Sequence, residues 1–246
     1  MSDTDTIDIE FEDDWHDGSG IRKMRRFFKN FCFEFAKFSM GYQNKLGEFP
    51  FIYNERSLVS VVLPSLIKAD GDNTLVFMEQ PFKKLDNTQR FLDFYVDHGD
   101  NIYLIEMKHR WNAYRTDDFN TNTLRRWNEC LLQINDLDKE TIKNHICDPD
   151  FYSTGLFKTS LLVLPVYQNQ RNEFVFGEKN LYDNCADYLK LIKGSFPDRF
   201  EGTRIKKPNF FAVWKIPEDN RYSREHKDGF EFYPYVIFAI YQERIS

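Results

Sequence analysis

Phe91-Leu92-Asp93-Phe94-Tyr95-Val96, then Asp97-His98-Gly99-Asp100, then Asn101-Ile102-Tyr103-Leu104-Ile105-Glu106-Met107-Lys108 is the stretch whose reading decides the fold. Two apolar runs, Arg90 to Val96 and Asn101 to Lys108, flank a polar tetrapeptide with a glycine, the pattern of two strands joined by a hairpin loop. The second run is apolar on both faces until Glu106, which places it in the middle of a covered sheet. Alternation along a strand then puts Leu104, Glu106 and Lys108 on one face. With a four-residue loop, Val96 pairs with Asn101 and Asp93 lies opposite Leu104. Asp93 therefore shares that face, with Glu106 as its diagonal neighbour, about 7–8 Å away between backbones. A buried charge left unpaired costs several kcal/mol, so a carboxylate in each strand and a lysine beside them need an explanation.

Outward from this hairpin, the pattern is helix, three strands, helix, strand. Asn54 is an N-cap for a helix opening at Glu55, with Leu58, Val59, Val62 and Leu63 at helical spacing and Pro64 expected to kink or end it. Thr74 to Met78 reads as a strand. Leu124, Trp127, Leu131, Ile134 and Leu137 form the apolar stripe of a second helix. Thr159 to Tyr167 reads as a buried strand, ending or lying near an edge because of Pro165. The order predicts an α/β fold, a central mixed sheet flanked by helices. Further out, Ile21 to Met40 and 180–193 read as helices, and Phe210 to Ile216 and Tyr235 to Tyr241 as strands. Arg22, Lys23, Arg25, Arg26 and Lys29 near the start of the first helix oppose its dipole, so they serve either a solvated face or phosphate contacts.

The chain has 246 residues with 41% hydrophobic and 29% charged, the make-up of a folded globular chain, and its 25 Phe point to a core rich in rings. Neither internal repeat nor low-complexity linker interrupts it, so a single domain over 1–246 is expected. No apolar run reaches the roughly 20 residues a membrane helix needs. Four cysteines, Cys32, Cys130, Cys147 and Cys185, are widely spaced, which argues against a zinc ribbon or a disulfide scaffold and for a reducing cytoplasm. Net charge is -6, yet eight acids fall within residues 1–17, which have no Lys or Arg; the remainder holds 33 basic against 31 acidic residues. The acidic head, about residues 1–20, reads as a mobile tail, either solubilising or covering a basic groove until substrate displaces it. The body is neutral enough for a phosphate-bearing partner.

Two carboxylates converging from adjacent strands suit one hard cation, Mg²⁺ above all, which prefers oxygen ligands and keeps waters that a substrate can displace. The alternative is a plain Glu106–Lys108 ion pair. The five histidines show no His-x-x-x-His spacing, which speaks against a zinc hydrolase. Neither a phosphate-binding Gly-x-x-x-x-Gly-Lys loop nor a Gly-x-Ser-x-Gly elbow occurs.

Asp93, twelve intervening residues and then Glu106-Met107-Lys108, on a hairpin flanked by apolar strands, resembles the PD-(D/E)xK nuclease superfamily, the restriction-endonuclease-like fold. Glu55, on a helix before the first strand, is similar to the extra acid of many members. Leu92 stands where the name-giving proline would, at a position that varies widely in the superfamily. The resemblance covers about residues 50–168. It implies an αβββαβ core with N- and C-terminal elaborations, the latter being 170–246. It also implies a metal-dependent phosphodiesterase acting on nucleic acid, chiefly DNA. Asp93, Glu106 and the Met107 backbone carbonyl, with Glu55 as a further candidate, would hold Mg²⁺ or Mn²⁺. Lys108 would orient a water, and Gln133, on the helix after the catalytic strand, would point to the site. Arg110, Arg125 and Arg126 are candidates for gripping phosphates, Trp111 and Tyr114 for stacking on bases. Prokaryotic or phage defence or DNA processing is the setting by analogy, with a homodimer or a larger defence complex as the implied assembly. A nuclease-like module that only binds nucleic acid or protein is the alternative.

Overall fold

Met24, Phe27, Phe28, Phe31 and Phe35 recur at helical spacing, and this stripe is what a long helix lays on a sheet. In the computed structural model, which describes residues 7–15, 20–71, 74–84, 86–114, 119–146, 155–170, 184–218, 221, 223–226 and 229–245, all five are buried. The chain order is β1 (Asp8–Asp13), α1 (Ile21–Leu46), a 3₁₀ turn (Pro50–Ile52), α2 (Glu55–Lys68), β2 (Thr74–Lys83), β3 (Gln89–His98), β4 (Asn101–His109), β5 (Asn112–Ala113), α3 (Thr121–Asn135) and α4 (Lys139–His145). It continues with β6 (Gly155–Gln170), α5 (Cys185–Ser195), a small ribbon of β7 (Arg199–Phe200) and β8 (Thr203–Arg204), then β9 (Phe210–Lys215), β10 (Ser223–His226) and β11 (Gly229–Ile245). His16, Cys147 and residues 180–183 lie outside the described residues.

One sheet runs in the order β1-β9-β11-β6-β4-β3-β2, with β10 added to β11 and β5 to β6. Its pairings are antiparallel except those of β4 and β5 with β6, which are parallel. Alternation along β6 divides the core. Leu161 and Val163 belong to the cluster under α1 and α2, whereas Leu162, Leu164 and Val166 belong to the one shared with α3 and α5. A third cluster joins Leu92, Ile102 and Leu104 to α3 and α4. The architecture is a mixed α/β fold with a central, mostly antiparallel sheet flanked by helices. The C-terminal strands β9 and β11 belong to this sheet, β11 pairing along β6 from Phe230 to Ile245.

Several expectations are corrected. Within the acidic head, Asp8–Asp13 is an edge strand on β9, and residues 1–6 and 16–19 lie outside the described residues. Lys193 holds Glu12 and Asp14 at 2.7 and 2.8 Å, and Arg25 holds Asp13 at 2.9 Å and donates to the Trp15 carbonyl at 2.8 Å. In the sheet, β9, β11 and β6 separate β1 from β4, so this strand does not cover a groove at Glu106. Of the cations at the start of α1, Lys23 and Arg26 lie on a solvated face, 57% and 72% exposed and paired with Asp100 and Asp70, while Arg25 is drawn in against Asp13.

Pro64 does not end α2, which runs on to Lys68 with Ser65 and Leu66 buried beyond it. The Ser65 hydroxyl donates to the Val61 carbonyl at 2.6 Å, holding that turn. Pro165 lies mid-strand in β6, between β11 and the β4–β5 side. The Val163 and Tyr167 carbonyls both accept from the β4–β5 side, from Arg110 and Tyr114. By strand alternation the imide nitrogen of residue 165 faces the same way, toward the break between β4 and β5, where no ladder donor is required.

Candidate active site

The β3–β4 turn is shorter than the sequence suggests. His98 pairs with Asn101 and Val96 with Tyr103, leaving only Gly99-Asp100 as the loop. Gly99 has φ 61° and Asp100 has no positive φ, the pattern of a two-residue turn with glycine first. The expected pairing of Val96 with Asn101 is thus off by two residues. An even shift preserves the faces but moves Asp93 from opposite Leu104 to the step after Phe94–Ile105, opposite Glu106. At that step the ladder stops and β3 leaves β4.

The departure has a visible cause. Leu92 and Phe94, two apart, would share a face on a regular strand, yet they lie in different core clusters. The strand therefore turns over at Asp93. Directly across on β2, between the Met78–Phe94 and Gln80–Leu92 pairs, Glu79 sits at φ 53°, uncommon for a residue with a Cβ. This paired distortion frees one edge of β4 beyond Ile105, and two acids take over its donors. Asp93 Oδ2 accepts from the Met107 N–H at 2.7 Å, and Glu55 Oε2 accepts from the His109 N–H at 3.1 Å. Glu55 reaches it because Asn54 caps α2, its side chain accepting from the Ser57 N–H, which starts the helix beside the end of β4.

Glu106 and Lys108 are 5% and 7% exposed. Lys108 Nζ donates to Glu106 Oε1 at 2.7 Å and to the Met107 carbonyl at 3.1 Å. Cys130 of α3 closes the floor, its thiol donating to the Glu106 carbonyl at 3.1 Å. Burial first and the Asp93 charge second push the Glu106 carboxyl up to about 7, against the pull of Lys108. Burial also raises Asp93, opposed by the Met107 N–H and Lys108, and reinforced by Glu55 and Glu79. Lys108 is held above the ordinary lysine range by Glu106, Asp93 and Glu55, which together outweigh its burial. His109 faces the other way, Nε2 donating to the Phe51 carbonyl at 2.7 Å; burial pushes it down to about 4 and keeps the ring neutral.

A cleft of about 260 Å³ opens onto this edge, lined by Glu55, Arg56, Val59, Met78, Glu79, Asp93, Phe94 and Met107. Glu106 and Lys108 do not line it. Asp93 and Glu55 meet the cleft, whereas the Glu106–Lys108 pair is buried.

The structure thus brings Asp93, Glu106, Lys108 and Glu55 into one electrostatic neighbourhood. It does not bring Gln133, which is exposed on α3 between buried Leu131 and Ile134. Arg125 and Arg126 are exposed on the same helix and pair with Glu201 and Glu129. Trp111 donates to the Ile52 carbonyl at 3.0 Å, and Tyr114 packs on Tyr188 and Tyr235. Glu79 was missed from sequence, where it falls just beyond the strand expected over Thr74 to Met78; only its place across from Asp93 gives it a role.

Among the described residues, no three His, Cys, Asp or Glu side chains converge as a ready-made metal group. The donor chemistry nevertheless fits a hard divalent cation. Glu106 Oε1 and the Met107 carbonyl are already turned to one positive charge, the Lys108 ammonium, and Asp93 acts on the same spot. Among the described residues, no helix is long and apolar enough to cross a membrane, and Cys32, Cys130 and Cys185 are unpaired. No protein-family model, curated protein or solved structure matches this chain.

Proposed function

We propose that the protein is a metal-dependent nuclease of the PD-(D/E)xK kind, hydrolysing phosphodiester bonds of nucleic acid, DNA foremost. The observation that carries this reading is the parting of β3 from β4 at Asp93 and Glu106. It leaves acids from two strands and one helix around a single lysine in a buried setting. The run α2, β2, β3, β4, α3, β6, with β4 parallel to β6, supports a restriction-endonuclease-like core. Mg²⁺ or Mn²⁺ held by Asp93, Glu106 and the Met107 carbonyl, with Glu55 beside them, would polarise a phosphate and lower the pKa of a bound water.

The chain's own residues do the rest. Glu106, with its carboxyl near 7, is poised between protonated and ionised forms at neutral pH. Lys108 holds Glu106 Oε1, which leaves Oε2 as the oxygen that would act as a ligand, and its ammonium would orient a water or offset charge that develops on a phosphate oxygen. Glu55 and Asp93 face the cleft from which substrate enters.

Linear and circular DNA and RNA, each incubated with Mg²⁺, Mn²⁺ or EDTA, test the proposal. Cleavage is expected in metal, absent in EDTA, and lost in Asp93→Ala and Lys108→Ala. A second reading draws on the hydrogen bonds of Asp93 and Glu55 to β4, which give both acids a structural use. On that reading the protein is a nuclease-like binding module. Nucleic-acid binding without cleavage, indifferent to metal and to these substitutions, would select it.

A further inference from the structure

A second and larger cleft, about 700 Å³, lies where β4 ends, and the catalytic reading does not use it. Tyr53, Arg110, Trp111, Asn120, Tyr167 and Tyr233 line it. Its place is fixed by sequence neighbours. Tyr53 is two residues before Glu55, and Arg110 two after Lys108, so each is at most about 7 Å of chain from a residue of the candidate site. Tyr53, Trp111 and Tyr167 are half-buried, neither sunk in the core nor fully solvated. Trp111 is pinned by its bond to the Ile52 carbonyl and by edge contact with His109. Such rings offer pre-set faces at low entropic cost.

Arg110 gives the cleft its charge. Among the described residues its guanidinium has no carboxylate within ion-pair distance, and it lies 5.9 Å from the Trp111 ring centroid. Glu231, the one acid of the lining, accepts from the Tyr233 hydroxyl at 3.1 Å. Thr121 and Asn122 add the first turn of α3, capped by Asn120, whose positive end faces the same space as Arg110. Ring faces with a neighbouring cation and a helix N-terminus match a base attached to a phosphate. A base within a duplex is stacked on both sides and cannot enter between aromatic walls, whereas an unpaired one can.

We infer that this cleft binds one unpaired nucleotide, its base against Tyr167, Trp111 and Tyr53 and its phosphate at Arg110, next to the bond at Asp93 and Glu106. The protein therefore prefers single-stranded or locally unpaired nucleic acid. This deepens the nuclease reading and rests on it for what lies next door, but it concerns binding and is testable without cleavage.

The test is fluorescence anisotropy in EDTA with a short fluorescein-labelled single-stranded DNA, the same strand carrying abasic sites, its blunt duplex, and the RNA version. The base-bearing single strands, DNA or RNA, are expected to bind tightest, with the abasic strand weaker by about tenfold. Tyr167→Ala should weaken the base-bearing strand by about that factor and leave the abasic strand unchanged, while Tyr167→Phe, which keeps the ring face, should bind as wild type. Arg110→Ala should weaken both strands alike and reduce the salt slope by about one. Equal binding of base-bearing and abasic strands, wild-type affinity in both Tyr167→Ala and Arg110→Ala, preference for the duplex, or no binding to any strand would each overturn the inference. The nuclease reading fails separately, by absence of cleavage in Mg²⁺ or Mn²⁺.

Discussion

Acids gather at two places on the sheet, and the two are handled in opposite ways. On the β1 edge, Glu12 and Asp14 share Lys193 and Asp13 takes Arg25, with side chains that keep solvent contact. At the end of β4, Glu106 and Lys108 are nearly closed off, and Asp93 and Glu55 act on the same lysine. Water screens Glu12 and Asp14 around Lys193, so their charges are cheap and their ion pairs weak, while Arg25 and Asp13 are more enclosed but matched one to one. Burial magnifies the second, where one cation serves several acids and the Glu106 carboxyl rises to about 7. So costly an arrangement is the physical ground on which we propose chemistry at β4 and not at β1.

The contrast is easiest to break at its single cation. Lys108→Met should destabilise the protein by about 3–5 kcal/mol at pH 8, as loss of one partner of a buried pair does. The loss should shrink at pH 5, where Glu106 is protonated. Urea unfolding at the two pH values measures it, and an equal loss at both would show that Lys108 does not hold the acids together.

Glu106→Gln sharpens the comparison through pH. A carboxyl raised in the folded state binds its proton more tightly there than in the unfolded chain, where it titrates near 4.3. Its penalty is therefore absent below about pH 4 and is fully felt once pH has risen through about 7. Wild type should lose stability relative to Glu106→Gln between pH 5 and 8, by on the order of 1–3 kcal/mol. Parallel stability curves for the two proteins would contradict the raised carboxyl.

The smallest effect belongs to the other edge. Lys193→Ala should cost under about 1 kcal/mol, and the loss should fade as salt is added. A thermal melt series in rising NaCl reads it. A loss as large as that of Lys108→Met would erase the distinction between the two clusters.

Much of the hairpin was legible. Alternation in Ile102–Lys108 placed Glu106 and Lys108 on one face and His109 on the other, and Asp93 emerged as the acid of the adjoining strand. What alternation could not supply was the register, because a four-residue stretch of turn-forming residues can close over two residues when a glycine accepts positive φ. Glu79 and the change of face at Asp93 were equally hidden, since a positive φ at a glutamate has no sequence signature. Gln133 was placed by position on a helix, and the helix stripe that buries Leu131 and Ile134 turns it outward. Pro165 and Pro64 read as breakers, yet β6 and α2 run through them, and the missing N–H of Pro165 falls where no ladder donor is required.

Local chemistry and periodicity, both properties of near neighbours in the chain, were enough to place the central strands β3, β4, β6, β9 and β11, the long Phe-studded helix and the mixed α/β class, and to single out two strand acids and a lysine, while β1, β5, β7, β8 and β10 went unread. The tertiary structure alone decided that β3 parts from β4 at Asp93, that Glu79 joins Glu55 in the same electrostatic group, and that Asp8–Asp13 docks as an edge strand. Each of these depends on contacts between residues far apart in the chain, where burial and charge are set by what packs alongside and leave no mark on the local sequence.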